Sequence, residues 1–501
     1  MKNLLRKLTF TLGAIGSLFN IATAETLSGK VIDAITEQPM QNISVNSRSK
    51  RTTTNEQGDY EIETPKIQTR IVYGKGEFYN FISGEKFVPH GNIYVDLEYF
   101  DPPDPRYIYW SLPEGWWSAS FGKEYYDSSK AEQDLEEMKN SGYNVVRVYV
   151  DSYFHDFNSV LNGERMNRDY LDNFVDFLRI ARDKEIYAIP SWGYLPETYN
   201  DVIDLKPAPE NVDGFNAYFM HQGVIDAYGM YITDFLKEVE KRDSSLLNVI
   251  FGIEILNEPF FTTSDWEKNP AKPFSLRQGF VTPASGGTYD LSRVEEREKL
   301  IDDSTKYWLK QVFGRVKREY PSILLSAGGV FSPYATGRTG YDGLLLDENG
   351  KVVGSLFNDG RMPLKISTLA ESQFVDYLSF QGYPNPMDYS LVYDISKDMA
   401  SIDINNVSLD KPRIINEFGV AEIYYPTIDK AVNALLNQAI NSCNYGFEGW
   451  VLFTWNTEIP GGDGGWTAVE DGGKIKNALS PFLRPDICLL DNAVQNWKLY
   501  E

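Results

Sequence analysis

From residue 106 onward, short apolar runs alternate with longer segments whose apolar positions recur at helical spacing. That alternation is the pattern of a parallel sheet with helical crossovers. Strands are expected at 107–110, 144–150, 187–190, 251–259, 323–326, 375–383, 411–419 and 449–455, and helices at 131–140, 168–183, 224–241, 294–320 and 428–440. In the 168–183 segment Leu171, Phe174, Val175 and Leu178 fall on one helical face. A closed barrel of eight such units needs about 250 residues and tolerates insertions beyond 400. A doubly wound open sheet competes, but no glycine-rich phosphate loop follows the first expected strand. The pattern therefore predicts an α/β fold, a (β/α)8 TIM barrel over 106–501. The segments 260–292 and 329–375 insert after the fourth and fifth strands, at the strands' C-terminal face, where long loops shape a cleft.

Residues 25–100 read differently. Short alternating runs, such as Gly29 to Asp33, Tyr60 to Ile62 and Ile93 to Leu97, are separated by turn residues, as in a small all-β sandwich. Asp101-Pro102-Pro103-Asp104-Pro105 is a stiff linker that marks the boundary. Residues 1–24 carry Lys2, Arg6 and Lys7, then an apolar run over 8–21, then Ala22-Thr23-Ala24. This is a cleaved secretory leader, and it predicts export to the periplasm or the extracellular space. No other segment is apolar enough to span a bilayer.

Composition narrows the chemistry. With 71 acidic and 48 basic residues the net charge is −23, which repels nucleic acid and anionic membrane and suits a neutral substrate. Three histidines, His90, His155 and His221, are scattered and there is no Cys/His cluster, so a zinc site is not expected. There is no G-x-S-x-G elbow for a serine nucleophile. The two cysteines, Cys443 and Cys488, could pair in an oxidising compartment, but spacing alone does not decide it. Glu458, Asp463, Glu470 and Asp471 lie among glycines after the eighth strand, a composition open to Ca2+ but lacking the EF-hand pattern and better read as a solvated loop.

Carboxylates are left to carry any catalysis. Phe251-Gly252-Ile253-Glu254-Ile255-Leu256-Asn257-Glu258-Pro259 is an apolar strand ending in Glu258, and Arg413-Ile414-Ile415-Asn416-Glu417-Phe418-Gly419 ends in Glu417. A carboxylate at the C-terminal end of a barrel strand is where such folds place chemistry, and two of them suffice to break a glycosidic bond. Arg147 sits mid-strand in an apolar run, where an unpaired guanidinium would be costly. It must meet a carboxylate, and Glu254 is one candidate.

Asn257-Glu258-Pro259 and Asn416-Glu417-Phe418-Gly419 resemble the fourth- and seventh-strand motifs of clan A glycoside hydrolases, most closely family 5, the cellulases and mannanases. The resemblance covers about residues 106–480. It implies a retaining β-glycosidase with Glu258 as acid/base and Glu417 as nucleophile, Arg147 holding Glu417, Asn257 bonding the sugar 2-hydroxyl, Tyr383 bonding the nucleophile and Trp455 lying under the sugar. Trp116, Trp117, Trp192 and Trp466 are further candidate platforms. Where many members carry His, this chain has Ser191-Trp192 after strand three and Gln381 on strand six, so Gln381 would act as a neutral amide. The resemblance implies no cofactor and a β-linked polysaccharide or oligosaccharide substrate, mannan or β-glucan, cut endo, with exo cleavage or transglycosylation as alternatives. A non-catalytic polysaccharide-binding barrel is the alternative of another class. Gly29, Val31, Asp33, Thr36, Pro39, Val45, Thr54, Gly58 and Tyr60 resemble the carboxypeptidase regulatory-like, or transthyretin-like, sandwich, which implies a structural role for residues 25–100.

Overall fold

Strands buried on both faces form the centre of the molecule. The computed structural model describes residues 26–31, 38–47, 50–63, 67–100, 115–150, 165–212, 214–262, 279–331, 344–346, 352–355, 361–383, 395–396, 399, 402–422, 425–456 and 465–490. The central parallel strands are β1 (His90–Tyr94), β2 (Val145–Val150), β3 (Tyr187–Trp192), β4 (Gly252–Glu254), β5 (Leu324–Ser326), β6 (Leu378–Gly382), β7 (Arg413–Phe418) and β8 (Phe447–Leu452). Each pairs with its sequence neighbour, and β8 returns to β1. The fifth strand resumes at Val330–Phe331, where it pairs with β6, so the sheet comes round to a near-closed eight-stranded barrel.

Helices α1 (Ser128–Asn140), α2 (Arg168–Asp183), α3 (Gln222–Arg242), α4 (Val294–Trp308), α5 (Ile366–Glu371), α6 (Ile428–Ser442) and α7 (Glu470–Ala478) accompany the strands. Asp127 and Asn167 start α1 and α2 by accepting backbone amides with their side chains, which satisfies donors the helix cannot. Side chains alternate across the sheet. On β2, Val146, Val148 and Val150 join the outer core with the helices, while Val145 joins an inner cluster with Ile93, Ile189, Phe251, Leu324, Tyr377, Ile414 and Val451.

The N-terminal boundary differs from expectation. Ile93 and Tyr94, assigned by pattern to the sandwich, belong to β1 of the barrel. The expected first strand at 107–110, the linker 101–105 and the leader lie outside the described residues. A parallel strand covered on both faces needs no polar alternation, so nothing local distinguishes it from a sandwich strand. The hairpin of Ile67–Val72 and Lys75–Asn80 also serves the barrel. It presents the fully buried Phe78 to Phe251 and Tyr377, at ring-centroid distances of 4.8 and 5.7 Å, and so fills the barrel's N-terminal end. The Gly76 amide bonds Leu409 O at 2.7 Å, and a Cβ there would lie 2.5 Å from the Lys411–Pro412 peptide, so the close approach requires glycine. Residues 26–63 form two antiparallel pairs, Thr26–Lys30 with Asp59–Glu63 and Ser44–Ser47 with Lys50–Thr53.

The C-terminal segment closes the same end. Cys443, after α6, is disulfide-bonded to Cys488, and beside it His90 Nε2 donates to Pro485 O while Lys86 pairs with Asp486. Burial lowers the His90 pKa from 6.5 to about 4.

Two outcomes follow from this end of the barrel. Phe78→Ala lowers unfolding free energy by about 3–5 kcal/mol, read from urea titration, because the cavity left inside the inner cluster cannot collapse. The fold favours neutral His90, so its contribution is complete above pH 6.5 and is lost as pH falls toward 4. Between pH 7.5 and 4.5 wild type therefore loses about 2 kcal/mol more stability than His90→Gln.

Candidate active site

The centre of the barrel's C-terminal end is a guanidinium with every donor engaged. Alternation along β2 turns Arg147 and Tyr149 inward together. Arg147 is fully buried, and its Nε donates to Glu254 Oε2 at 2.8 Å. Its Nη1 donates to Tyr149 Oη at 3.0 Å and Glu417 Oε2 at 2.8 Å. Its Nη2 donates to Ser191 Oγ at 3.0 Å and Asn257 Oδ1 at 2.7 Å. Arginine has five N–H groups, and these are five acceptors. The two expected pairings, with Glu254 and with Glu417, are therefore both made. Opposite charges hold the guanidinium's pKa above its ordinary value despite burial, Glu254 contributing most.

Glu417 reaches this arginine through an irregularity in β7. Ile414 belongs to the inner cluster, and Ile415 and Phe418 to the outer core. Between them the register shifts by one residue, Phe380 pairing with Ile415 but Gln381 with Glu417. The bulge lets two consecutive side chains face inward, Asn416 donating to Glu254 Oε1 at 2.7 Å and Glu417 meeting Arg147. Glu417 Oε2 also accepts from Tyr149 Oη at 2.8 Å and Gln381 Nε2 at 3.1 Å, and Oε1 accepts from Tyr383 Oη at 2.5 Å. Burial and the Glu417 charge raise both tyrosine pKa values well above the ordinary range, so both remain neutral donors.

Glu258 is presented by strain of another kind. It has a left-handed φ of 46°, and its amide donates to Gly328 O at 2.8 Å. Gly328, with φ 107°, lies where the fifth strand breaks, and a Cβ on it would sit 1.9 Å from Leu256 O. Glycine there lets the fifth strand follow the end of β4 closely enough to hold Glu258. Glu258 follows Asn257 in the chain, and its charge adds to burial and the Glu417 charge in raising the Tyr149 and Tyr383 pKa values.

Amide orientations follow from the arginine. Because Arg147 only donates, Asn257 turns Oδ1 toward it, and Gln381 Nε2 donates to the same Oδ1 at 3.1 Å. Asn257 is thus part of this network and caps no helix, since the chain continues into the short strand Phe260–Thr262. Gln381 is buried, and its Oε1 has no partner among the described residues.

Two expected platforms are corrected. Trp192 is fully buried in the outer core, its ring edge against Phe235, because β3 alternation gives the inward place to Ser191. Trp455 is 1% exposed, with Nε1 3.2 Å from Asp134 Oδ1 on α1 and its ring edge on Tyr143. The strand-eight aromatic that turns inward is Phe453, half-buried against the inner cluster and 6.3 Å from the Tyr383 ring. Trp466 is half-buried and donates to Tyr425 O. Only the backbones of Trp116 and Trp117 are among the described positions. Glu458 and Asp463 lie outside the described residues, while Glu470 accepts from the Thr467 amide and Asp471 pairs with Lys474. Tyr149 is the residue sequence reasoning missed. The signal was its position two residues after Arg147, on the same strand face.

No family model matches this chain, and no curated protein matches it. Solved structures do. The endo-1,4-β-mannanase from Rhizomucor miehei aligns with a TM-score of 0.51 at 16% identity, over 82% of this chain and 97% of that one. An endo-β-1,4-mannanase from Thermotoga petrophila gives 0.48 at 13%, over 81% and 78%. The first likeness is one of fold, a (β/α)8 barrel. Among the described residues no helix is long and apolar enough to cross a membrane.

Arg147→Lys tests the network. Lysine keeps the charge but offers three donors in place of five, so unfolding free energy falls by about 3 kcal/mol or more, read from urea titration.

Proposed function

We propose that this chain is an exported retaining β-glycosidase acting on a β-linked plant polysaccharide, mannan or β-glucan, in endo fashion. The observation that carries this reading is the setting of Glu417 at the end of β7, with Glu258 one residue beyond Asn257 of the same hydrogen-bond network. Glu417 is gripped by Arg147, Tyr149, Gln381 and Tyr383, and Glu258 is presented by a left-handed backbone whose amide donates to a carbonyl of the fifth strand. Donors fixed around a carboxylate aim it, and carboxylates at the ends of β4 and β7 can serve as acid/base and nucleophile.

In the first step Glu417 attacks the anomeric carbon while Glu258 protonates the departing oxygen. In the second, Glu258 removes a proton from water, which attacks the same carbon and releases Glu417. Asn257 faces the sugar 2-hydroxyl, with its Oδ1 committed to Arg147 and Gln381 so that its amide N–H groups serve the substrate. Phe453 takes the platform role first assigned to Trp455. The reaction needs no cofactor. Residues 1–24 direct export, and residues 26–63 belong to a small β-sandwich of structural role.

Reducing-sugar release from soluble β-mannans, β-glucans, xylans and galactans is the test, with mature protein beside Glu417→Ala and Glu258→Gln. One polymer is cut, Glu417→Ala abolishes release, and Glu258→Gln slows it by about 10²–10⁴-fold. The first product seen by proton NMR has the β configuration. Silence on every polymer with binding retained in gel retardation would establish the non-catalytic alternative instead.

A further inference from the structure

We infer that Tyr149 is a positioning residue that, with Arg147 and Gln381, locks one oxygen of Glu417 so that the other, Oε1, makes the bond to the sugar. This rests on the glycosidase reading and deepens it. Oε2 of Glu417 receives three donors, from Arg147 at 2.8 Å, Tyr149 at 2.8 Å and Gln381 at 3.1 Å. A carboxylate offers about four lone-pair sites over its two oxygens, so three donors saturate Oε2. Oε1 receives Tyr383 alone among the described residues, which leaves it a lone pair to give.

The Tyr149 hydroxyl is itself fixed. It accepts from Arg147 Nη1 at 3.0 Å, so its single proton is directed to Glu417, and its ring lies against the guanidinium, whose carbon is 4.8 Å from the ring centroid. In the first step the bond from the anomeric carbon to Oε1 forms as the bond to the leaving oxygen breaks, with the proton supplied by Glu258, and Oε2 becomes an ester carbonyl. In the second step water adds to that carbon, its proton passes to Glu258, and the bond to Oε1 breaks. Negative charge returns to Glu417 at that moment, and the donors on Oε2 stabilise it without reorganising. The charged and titratable groups facing Glu417 are Arg147 and Tyr149 from β2, Glu254 and Glu258 from and after β4, and Tyr383 after β6.

Tyr149→Phe removes the hydroxyl and keeps the ring. With the polymer that wild type cleaves, kcat falls about 10- to 100-fold and KM stays within about two-fold, since the lost bond is to a charged group that reacts. A thermal melt of the same variant accompanies the kinetics. A kcat within two-fold of wild type, or a lower kcat accompanied by a comparable change in KM and a matching loss of melting temperature, overturns the inference alone. A wild type that cuts no polymer overturns the glycosidase reading and takes the inference with it.

Discussion

One fully buried guanidinium organises the C-terminal end of this barrel. Arg147 arises on β2, yet its partners come from β2, β3, β4 and β7 and from the turn after β4. A cation without solvent must be matched donor by donor, or its desolvation is uncompensated. That requirement fixes Glu254, orients Asn257, and through Asn257 and Glu417 orients Gln381. Two carboxylates share one guanidinium, and Tyr149, Asn416 and Tyr383 supply them with further donors.

Regular strands could not build this arrangement. Strict alternation would send Asn416 and Glu417 to opposite faces of β7, and the bulge brings both inside. The break at Gly328 similarly lets the fifth strand hold the Glu258 amide, with the left-handed backbone of Glu258 as its cost. Both irregularities sit at the C-terminal ends of strands, while the opposite end is plugged by Phe78 and strapped by the Cys443–Cys488 disulfide. Strain is thus concentrated where chemistry is expected, and the opposite end carries the plug and the disulfide.

Much of this was legible in the chain. Helical and strand periodicity located strands two through eight, because those segments carry their apolar residues locally. Glu417, Arg147, Asn257, Gln381 and Tyr383 were marked in advance, and hydrogen bonds join these five, with Glu258 next to Asn257 in the chain. The errors have a common origin. Assigning His90–Tyr94 to a sandwich, and turning Trp192 and Trp455 toward the cleft, were both guesses about which side of a strand, or which sheet, a residue would meet.

Local spacing thus determined which residues could do chemistry and in what kind of element each lies, since those properties are set by neighbours within a few positions. Tertiary structure decided facing and partnership. Strand parity depends on where β3 and β8 enter the barrel and on a one-residue bulge in β7. A single-residue shift exchanges the two faces, so no local pattern could have placed Trp455 on Asp134.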